Sequence, residues 1–177
     1  METLSKNRLR KIMKKAAIAL QDSYGCNGIG EQYLQALRTG NIEAILWFNA
    51  FGPTVRHQLM NAVAYQKGLK FGFEAITLDK HGWLANAIWK NREEIEFRLK
   101  EDSPCGICNS ICLAEGNNTK WAYGISAVYG TGSGYGSPIT VFNKPYDSRQ
   151  QCIEAALTEL KKDLAAKIVI ATCRPDP

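Results

Sequence analysis

Residues 121–142 of the chain read WAYGISAVYGTGSGYGSPITVF and predict a β-hairpin. Large side chains alternate with small or polar ones over 121–129, and this period of two indicates a strand. The glycine-rich stretch 130–136 predicts a loop, and residues 138–142 predict a second strand. Two strands joined by a glycine-rich connection are typical of a hairpin.

Helical patterns lie on both sides of this hairpin. Apolar residues at spacings of three and four, with suitable capping residues, predict helices over 4–24, 29–39, 42–51, 54–66, 84–100 and 149–167. The β-branched residues within 167–172 predict one further strand.

The sequence therefore predicts an α+β fold, in which an N-terminal helical bundle is followed by a small β-hairpin-plus-helix module. Composition changes at Ser103-Pro104, and we place a domain boundary there. Residues 1–102 then form a basic all-helical region. Residues 103–177 form the hairpin and helix module.

The composition is that of a globular protein, with 45% hydrophobic and 22% charged residues. No apolar run has the roughly 18 residues of a membrane span. The apolar stretch 16–20 follows a basic segment, as in a secretory signal, but it is shorter than the roughly 7–15 residues such signals need. We expect a cytoplasmic protein that is neither secreted nor bound to a membrane, and whose six cysteines are thiols or metal ligands.

Positive charge is concentrated in the predicted helical region. The net charge is +5, and residues 1–100 contain 15 Lys and Arg against 9 Asp and Glu. The helix predicted over 4–24 has an apolar stripe on one side and a basic face on the other. That basic face consists of Arg8, Arg10, Lys11, Lys14 and Lys15. Charge runs are usually solvated faces, but no acidic residue from Thr3 to Gln21 balances this one.

An unbalanced basic face predicts contact with nucleic-acid phosphates. The first hypothesis is therefore a non-enzymatic, nucleic-acid-binding accessory protein, with DNA and RNA both open. Arg56 and Lys70 are further candidates, because the short helices after residue 29 are compatible with a helix-turn-helix.

The second hypothesis is a protein-binding adaptor or inhibitor. Its basic helix would occupy an acidic or nucleic-acid-binding groove of a partner protein. Tyr129 and Tyr135 flank the glycine-rich loop and would supply its aromatic contacts, because buried aromatic residues dominate many protein interfaces.

The third hypothesis concerns Cys105, Cys108 and Cys112. The first two form a CxxC pair, which is half of a common zinc site, and the sequence has no second pair to complete it. The same spacing places all three thiols on one face of a short helix, where they would pack as small apolar side chains. Zinc is the one cofactor that this pattern leaves open.

The sequence favours a protein without catalytic activity. The signatures G-x-S-x-G and H-E-x-x-H and those of protein kinases are absent. A cysteine-dependent site remains open, because Cys105 and either His57 or His81 could meet in the folded chain. No catalytic residue is assigned.

Overall fold

A computed structural model describes residues 6–22, 27–85, 88–98, 108–129 and 133–172. Within these ranges the elements are α1 Lys6–Asp22, α2 Asn27–Thr39, α3 Ile42–Asn49, α4 Val55–Leu69, β1 Lys90–Arg98, β2 Cys108–Glu115, β3 Trp121–Tyr129, β4 Ser133–Ser137 and α5 Arg149–Thr172. The predicted α+β class is confirmed, with helices first, then strands, then a final helix.

Backbone contacts divide the chain into two compact units. The helical unit comprises Met1–Leu69 and Phe73–Asn86, and it contains α1 to α4. The sheet unit comprises Lys70–Gly72 and Ala87–Pro177, and it contains the four strands and α5. The boundary predicted at Ser103-Pro104 lies outside the described residues.

The four helices predicted before residue 67 are confirmed as α1 to α4. Gly40 has a φ of +66°, in the left-handed region, and it closes α2. Asn41 then caps α3, because its Oδ1 accepts a hydrogen bond of 3.1 Å from the Ala44 amide. The glycine and the capping asparagine therefore separate α2 from α3.

Apolar side chains from all four helices form the core of the helical unit. Phe51 and Leu59 are fully buried, and Ala16 brings α1 onto this core. Trp47 packs edge-to-face on Phe51, with ring centroids 4.7 Å apart. The apolar stripe predicted on α1 packs as expected at Ile12, which contacts the same core.

Buried Asn61 of α4 connects three parts of the helical unit. Its Nδ2 donates to the carbonyl oxygens of Phe51 at 2.7 Å and Gly82 at 2.8 Å. Its Oδ1 accepts from the Leu84 amide at 2.9 Å. Since an unpaired buried amide is costly, these three bonds hold the turns before and after α4 at defined positions.

The sheet unit is an antiparallel sheet in the order β1-β2-β3-β4 with α5 packed on it. Ile111 of β2 pairs with Ile95 of β1 and with Ile125 of β3. Cys152 and other residues of α5 bury the same face of the sheet. The hairpin predicted around residue 130 is therefore one part of a larger sheet.

The helix predicted over 84–100 is wrong where the structure has β1, and the region predicted as all-helical thus contributes a strand. Glu94 and Arg98 have the spacing of a helical ion pair, which favoured the helix. Ile95 and Phe97, however, alternate with glutamates, and both pack against the core of the sheet unit. The segment forms a strand because alternation places both side chains on the buried face of the sheet.

Two predicted strands are also wrong. Residues 138–142 form no strand, and β4 instead lies at Ser133–Ser137, of which all but the last residue belong to the predicted loop. The glycines of β4 pair with β3 through the backbone, which requires no side-chain pattern. The segment 167–172 continues α5, since β-branched residues only weakly disfavour a helix.

The segment Lys70–Gly72 packs into the sheet unit although it directly follows α4. Phe71 is fully buried, and its carbonyl oxygen accepts from the Asn117 amide at 2.7 Å. Gly116 allows this approach, because a Cβ there would lie 2.5 Å from the Phe71 oxygen. A glycine is therefore required in the turn between β2 and β3.

We expect Leu59→Ala to lower the free energy of unfolding by about 2–5 kcal/mol, because it opens a cavity in the core of the helical unit. The matched control is Leu46→Ala, since Leu46 of α3 is 62% exposed; this change should cost less than about 0.5 kcal/mol. Urea titration followed by circular dichroism measures both. Equal effects of the two substitutions would contradict the assigned core.

Candidate functional site

All five cations predicted on α1 are exposed. The opposite side of the helix contains Ala16, which is fully buried. The ion pairs between described residues, Lys120–Asp147 and Arg149–Glu93, both lie in the sheet unit. Within the described part of the chain, four cations of α1 have no carboxylate partner, namely Arg10, Lys11, Lys14 and Lys15.

A groove of about 920 Å³ in the helical unit is lined by residues from all four helices. Arg8 and Lys15 of α1 line it together with Arg56 of α4. Lys15 and Arg56 are far apart in sequence, and packing of the helices brings them to the same groove. Most of the remaining lining is apolar, and it includes Ile12, Tyr33, Leu37, Ile45 and Val55. We call this feature the basic groove.

The N-terminus of α4 also lines the basic groove, at Pro53, Thr54 and Val55. Thr54 caps the helix, because its Oγ1 accepts from the His57 amide at 3.3 Å. The other amides of a first helical turn have no partner within the helix, and the helix dipole gives this end a partial positive charge. The groove therefore combines cationic side chains with a helix end that favours anions.

Gln58 lines the basic groove and is 7% exposed. Its Nε2 donates to Asn49 Oδ1 and to the Gly52 carbonyl oxygen, both at 3.1 Å. A backbone carbonyl only accepts, so the Gly52 bond fixes which end of the amide is nitrogen. Among the described residues, the buried Oε1 of Gln58 has no hydrogen-bond partner.

The sequence contained no signal for Gln58. One glutamine in a helical pattern is indistinguishable from a solvated residue until the turn preceding α4 is known. Thr54 and Pro53, in contrast, occupy typical positions before a helix, and the sequence identified a helix start there. The sequence thus indicated the helix start and named Arg8, Lys15 and Arg56 as candidate cations. It gave no sign of the unpaired Oε1 of Gln58.

Lys70 belongs to the sheet unit and is not among the residues that line the basic groove. Its ammonium group donates to the Asn143 carbonyl oxygen and lies 5.1 Å from the centre of the Phe71 ring. These contacts hold the segment Lys70–Gly72 in place. Lys70 therefore has a structural role, and it is not grouped with the cations of α1.

Tyr135, predicted as a contact residue, is 43% exposed and lines a groove of about 1130 Å³ in the sheet unit. This second groove also contains three carboxylates, Glu154, Glu159 and Asp163. One cation, Lys162, also lines this groove, and three carboxylates against one ammonium group leave a net negative charge that opposes binding of a polyanion. The side chain of Tyr129 lies outside the described residues.

Tyr123 also lines the second groove and donates its hydroxyl hydrogen to Glu159 at 2.5 Å. Burial, followed by the contact with the Glu159 carboxylate, raises the pKa of Tyr123 well above its ordinary value. The phenol therefore remains protonated at neutral pH and serves as a hydrogen-bond donor.

The short helix predicted for the cysteine cluster is wrong, because Cys108 and Cys112 lie on β2. Cys105 falls outside the described residues. No group of three or more metal-ligating side chains occurs in the described ranges. Burial, and then the nearby Glu94 carboxylate, raises the pKa of Cys112, which disfavours a reactive thiolate there.

The chain matches no protein-family model, no curated protein and no solved structure. The site must therefore be interpreted from its own residues. None of the helices, as far as their residues are described, is long and apolar enough to cross a bilayer.

We expect Cys152 to resist alkylation in the folded protein. It is fully buried, and burial raises the pKa of its thiol from 9.0 to about 12. As pH rises above 9.0, the unfolded chain loses this proton first, so the thiol's contribution to folding stability is lost progressively towards pH 12. Iodoacetamide labelling at pH 8, read by mass spectrometry, should modify Cys152 only in denaturant. Labelling of folded protein at the rate of a free thiol would contradict this packing.

Proposed function

We propose that the helical unit binds nucleic acid by contacting phosphates through the cations of α1 and through Arg56 of α4. The observation that supports this proposal is the meeting of Lys15 and Arg56 at one groove, from two helices distant in sequence. Lys15 and Arg56 make no ion pair within the described residues. Both are exposed and available to an anionic partner.

Charge balance supports the same assignment. The helical unit contains ten Lys and Arg against six Asp and Glu, whereas the sheet unit contains twelve against eleven. A local excess of positive charge attracts a polyanion and accelerates its association. Each phosphate that a cation neutralises releases counterions, so affinity should fall steeply as salt increases.

The exposed cations on α1 give a direct test. We expect Arg10→Gln/Lys11→Gln/Lys14→Gln/Lys15→Gln to weaken binding of a fluorescein-labelled DNA oligonucleotide by at least about tenfold at low salt. It should also flatten the dependence of affinity on salt, since each lost phosphate contact reduces the slope. Fluorescence anisotropy at about 50 and 200 mM salt measures both quantities.

The matched control removes one arginine and three lysines from the sheet unit. Lys90, Arg92, Lys161 and Lys162 are exposed there, and changing all four to glutamine makes the same change in net charge. Binding by this control should remain close to that of the wild type. Equal losses in both variants would attribute binding to net charge alone, and wild-type affinity independent of salt would refute the proposal.

A second candidate function, that of an adaptor for an acidic protein, is supported by apolar side chains on the surface of α3. Ile42 is 53% exposed and Leu46 is 62% exposed. Ile42 and Leu46 are four residues apart on α3 and so lie on one face of the helix, and exposed apolar patches mark many protein interfaces. A pull-down after nuclease treatment separates the two functions. Partners that survive nuclease and are lost with Ile42→Ser/Leu46→Ser favour the adaptor.

A further inference from the structure

We propose that the basic groove receives one unstacked nucleotide of a single-stranded nucleic acid. Its phosphate would lie at the N-terminus of α4 and its base against the apolar lining. This inference rests on the proposed function and specifies its ligand. Three features of the groove support it: its positive end, its apolar lining and its unpartnered acceptor.

The positive end of the groove suits a phosphate. The first turn of α4 presents amide groups and the positive end of the helix dipole, and Arg56 belongs to that same turn. Lys15 and Arg8 line the groove from α1. Both the first turn of a helix and cationic side chains therefore line the groove, and this combination is common where proteins bind phosphate.

The apolar lining suits the face of a base. Ile12, Leu37, Ile45 and Val55 line the groove, and the ring of Tyr33 lies beneath the surface with 3% exposure. A groove of about 920 Å³ falls within the range of roughly 300–1,000 Å³ that is common for small-molecule sites. Leu37 and Tyr33 are already buried, so the part of the apolar lining that faces water belongs to Ile12, Ile45, Val55 and the exposed Ile18. A phosphate alone would leave these side chains in water, whereas a base would cover them.

Gln58 provides the third feature. Its Nε2 is fully engaged with Asn49 and Gly52, and Oε1 accepts no hydrogen bond from the described residues. A buried carbonyl oxygen without a partner is unfavourable, so a ligand that donates to it, after a small shift of the Gln58 side chain uncovers the atom, would be favoured. The edge of every base carries at least one N–H group. A phosphate carries no such donor and would be repelled by the same oxygen.

These features favour a single strand over a duplex. In a duplex the Watson–Crick edges pair with each other and the base faces are stacked, so a base can enter a groove in a protein only if it leaves the duplex. Single strands present unstacked bases, which proteins commonly bind against apolar side chains. Duplex DNA would contact only cations at the surface.

Two pairs of cations provide a matched test of location. Lys15 and Arg56 line the basic groove, and we call them the groove pair. Arg10 and Lys14, four residues apart on one face of α1, do not line it, and we call them the outer pair. Each pair contains one lysine and one arginine, and all four residues are exposed, so both double glutamine variants should fold.

The groove-pair variant Lys15→Gln/Arg56→Gln should bind a labelled single-stranded DNA oligonucleotide at least about tenfold more weakly than the wild type. The slope of log affinity against log salt concentration should become about 1.4 less steep, since two contacts are lost and each contact to a single strand contributes about 0.7. The outer-pair variant Arg10→Gln/Lys14→Gln should also weaken binding, since the cations of α1 contact phosphates, but by a smaller factor of about threefold. Equal losses in the two variants would overturn the assigned location and leave phosphate binding by α1 intact.

The ligand itself is tested with three oligonucleotides of equal length: a single strand, its duplex and a single strand in which every nucleotide is abasic. The normal single strand should bind at least about tenfold more tightly than the abasic strand, because contact with a base contributes affinity beyond that of phosphates. It should also bind more tightly than the duplex. Equal binding of normal and abasic strands would overturn base insertion while the proposed function survives.

Competition tests the alternative occupant of the groove. Poly-glutamate and the unlabelled abasic strand are compared as competitors at equal concentrations of negative charge. Poly-glutamate should displace the labelled single strand no better than the abasic strand does. Displacement at much lower concentration, lost in the groove-pair variant, would overturn the nucleotide assignment in favour of an acidic polypeptide. Absence of binding by every oligonucleotide at low salt would refute the proposed function as well.

Discussion

Asn61 bonds at once to the turn that precedes α4 and to the turn formed by residues 79–84. The positions of Thr54, Arg56 and Gln58 all follow from where that first turn is held. A buried amide satisfies its donors and acceptor in one geometry only, so it specifies an arrangement that apolar packing alone would leave less defined. The basic groove thus depends on a polar contact inside the core of the helical unit.

Much of the helical unit was predictable from the sequence, because its signals are local. Gly40 and Asn41 lie next to each other at the end of one helix and the start of another, and the apolar stripe of α1 has a regular period. The cations of α1 were found for the same reason. What the sequence did not reveal was that Lys15 and Arg56 share a groove, since their meeting depends on the packing of helices far apart in the chain.

The sheet unit was harder to predict, because strands depend on partners that are distant in sequence. In β1 a helical pattern of charge coincides with a strand pattern at Ile95 and Phe97, and only the neighbouring β2 decides between them. In β4 the glycines give no side-chain signal at all. Gly124 of β3 shows why small residues occur where β3 and β4 pair, because a Cβ at this position would lie 2.4 Å from the Ser137 oxygen. The backbones approach closely here and require small residues, so β4 lacks the alternation of apolar and polar side chains that marks most strands.

The burial of Phe71 means that the coding sequences of the two units cannot be separated cleanly at one position. The sheet unit takes this side chain from a segment that precedes residues 73–86 of the helical unit. A continuous stretch of coding sequence that begins after residue 86 would encode every described strand and α5, yet it would leave the site beside Gly116 empty. Recombination that exchanges domains by a single crossover would therefore damage the sheet, so we expect the two units to be inherited together.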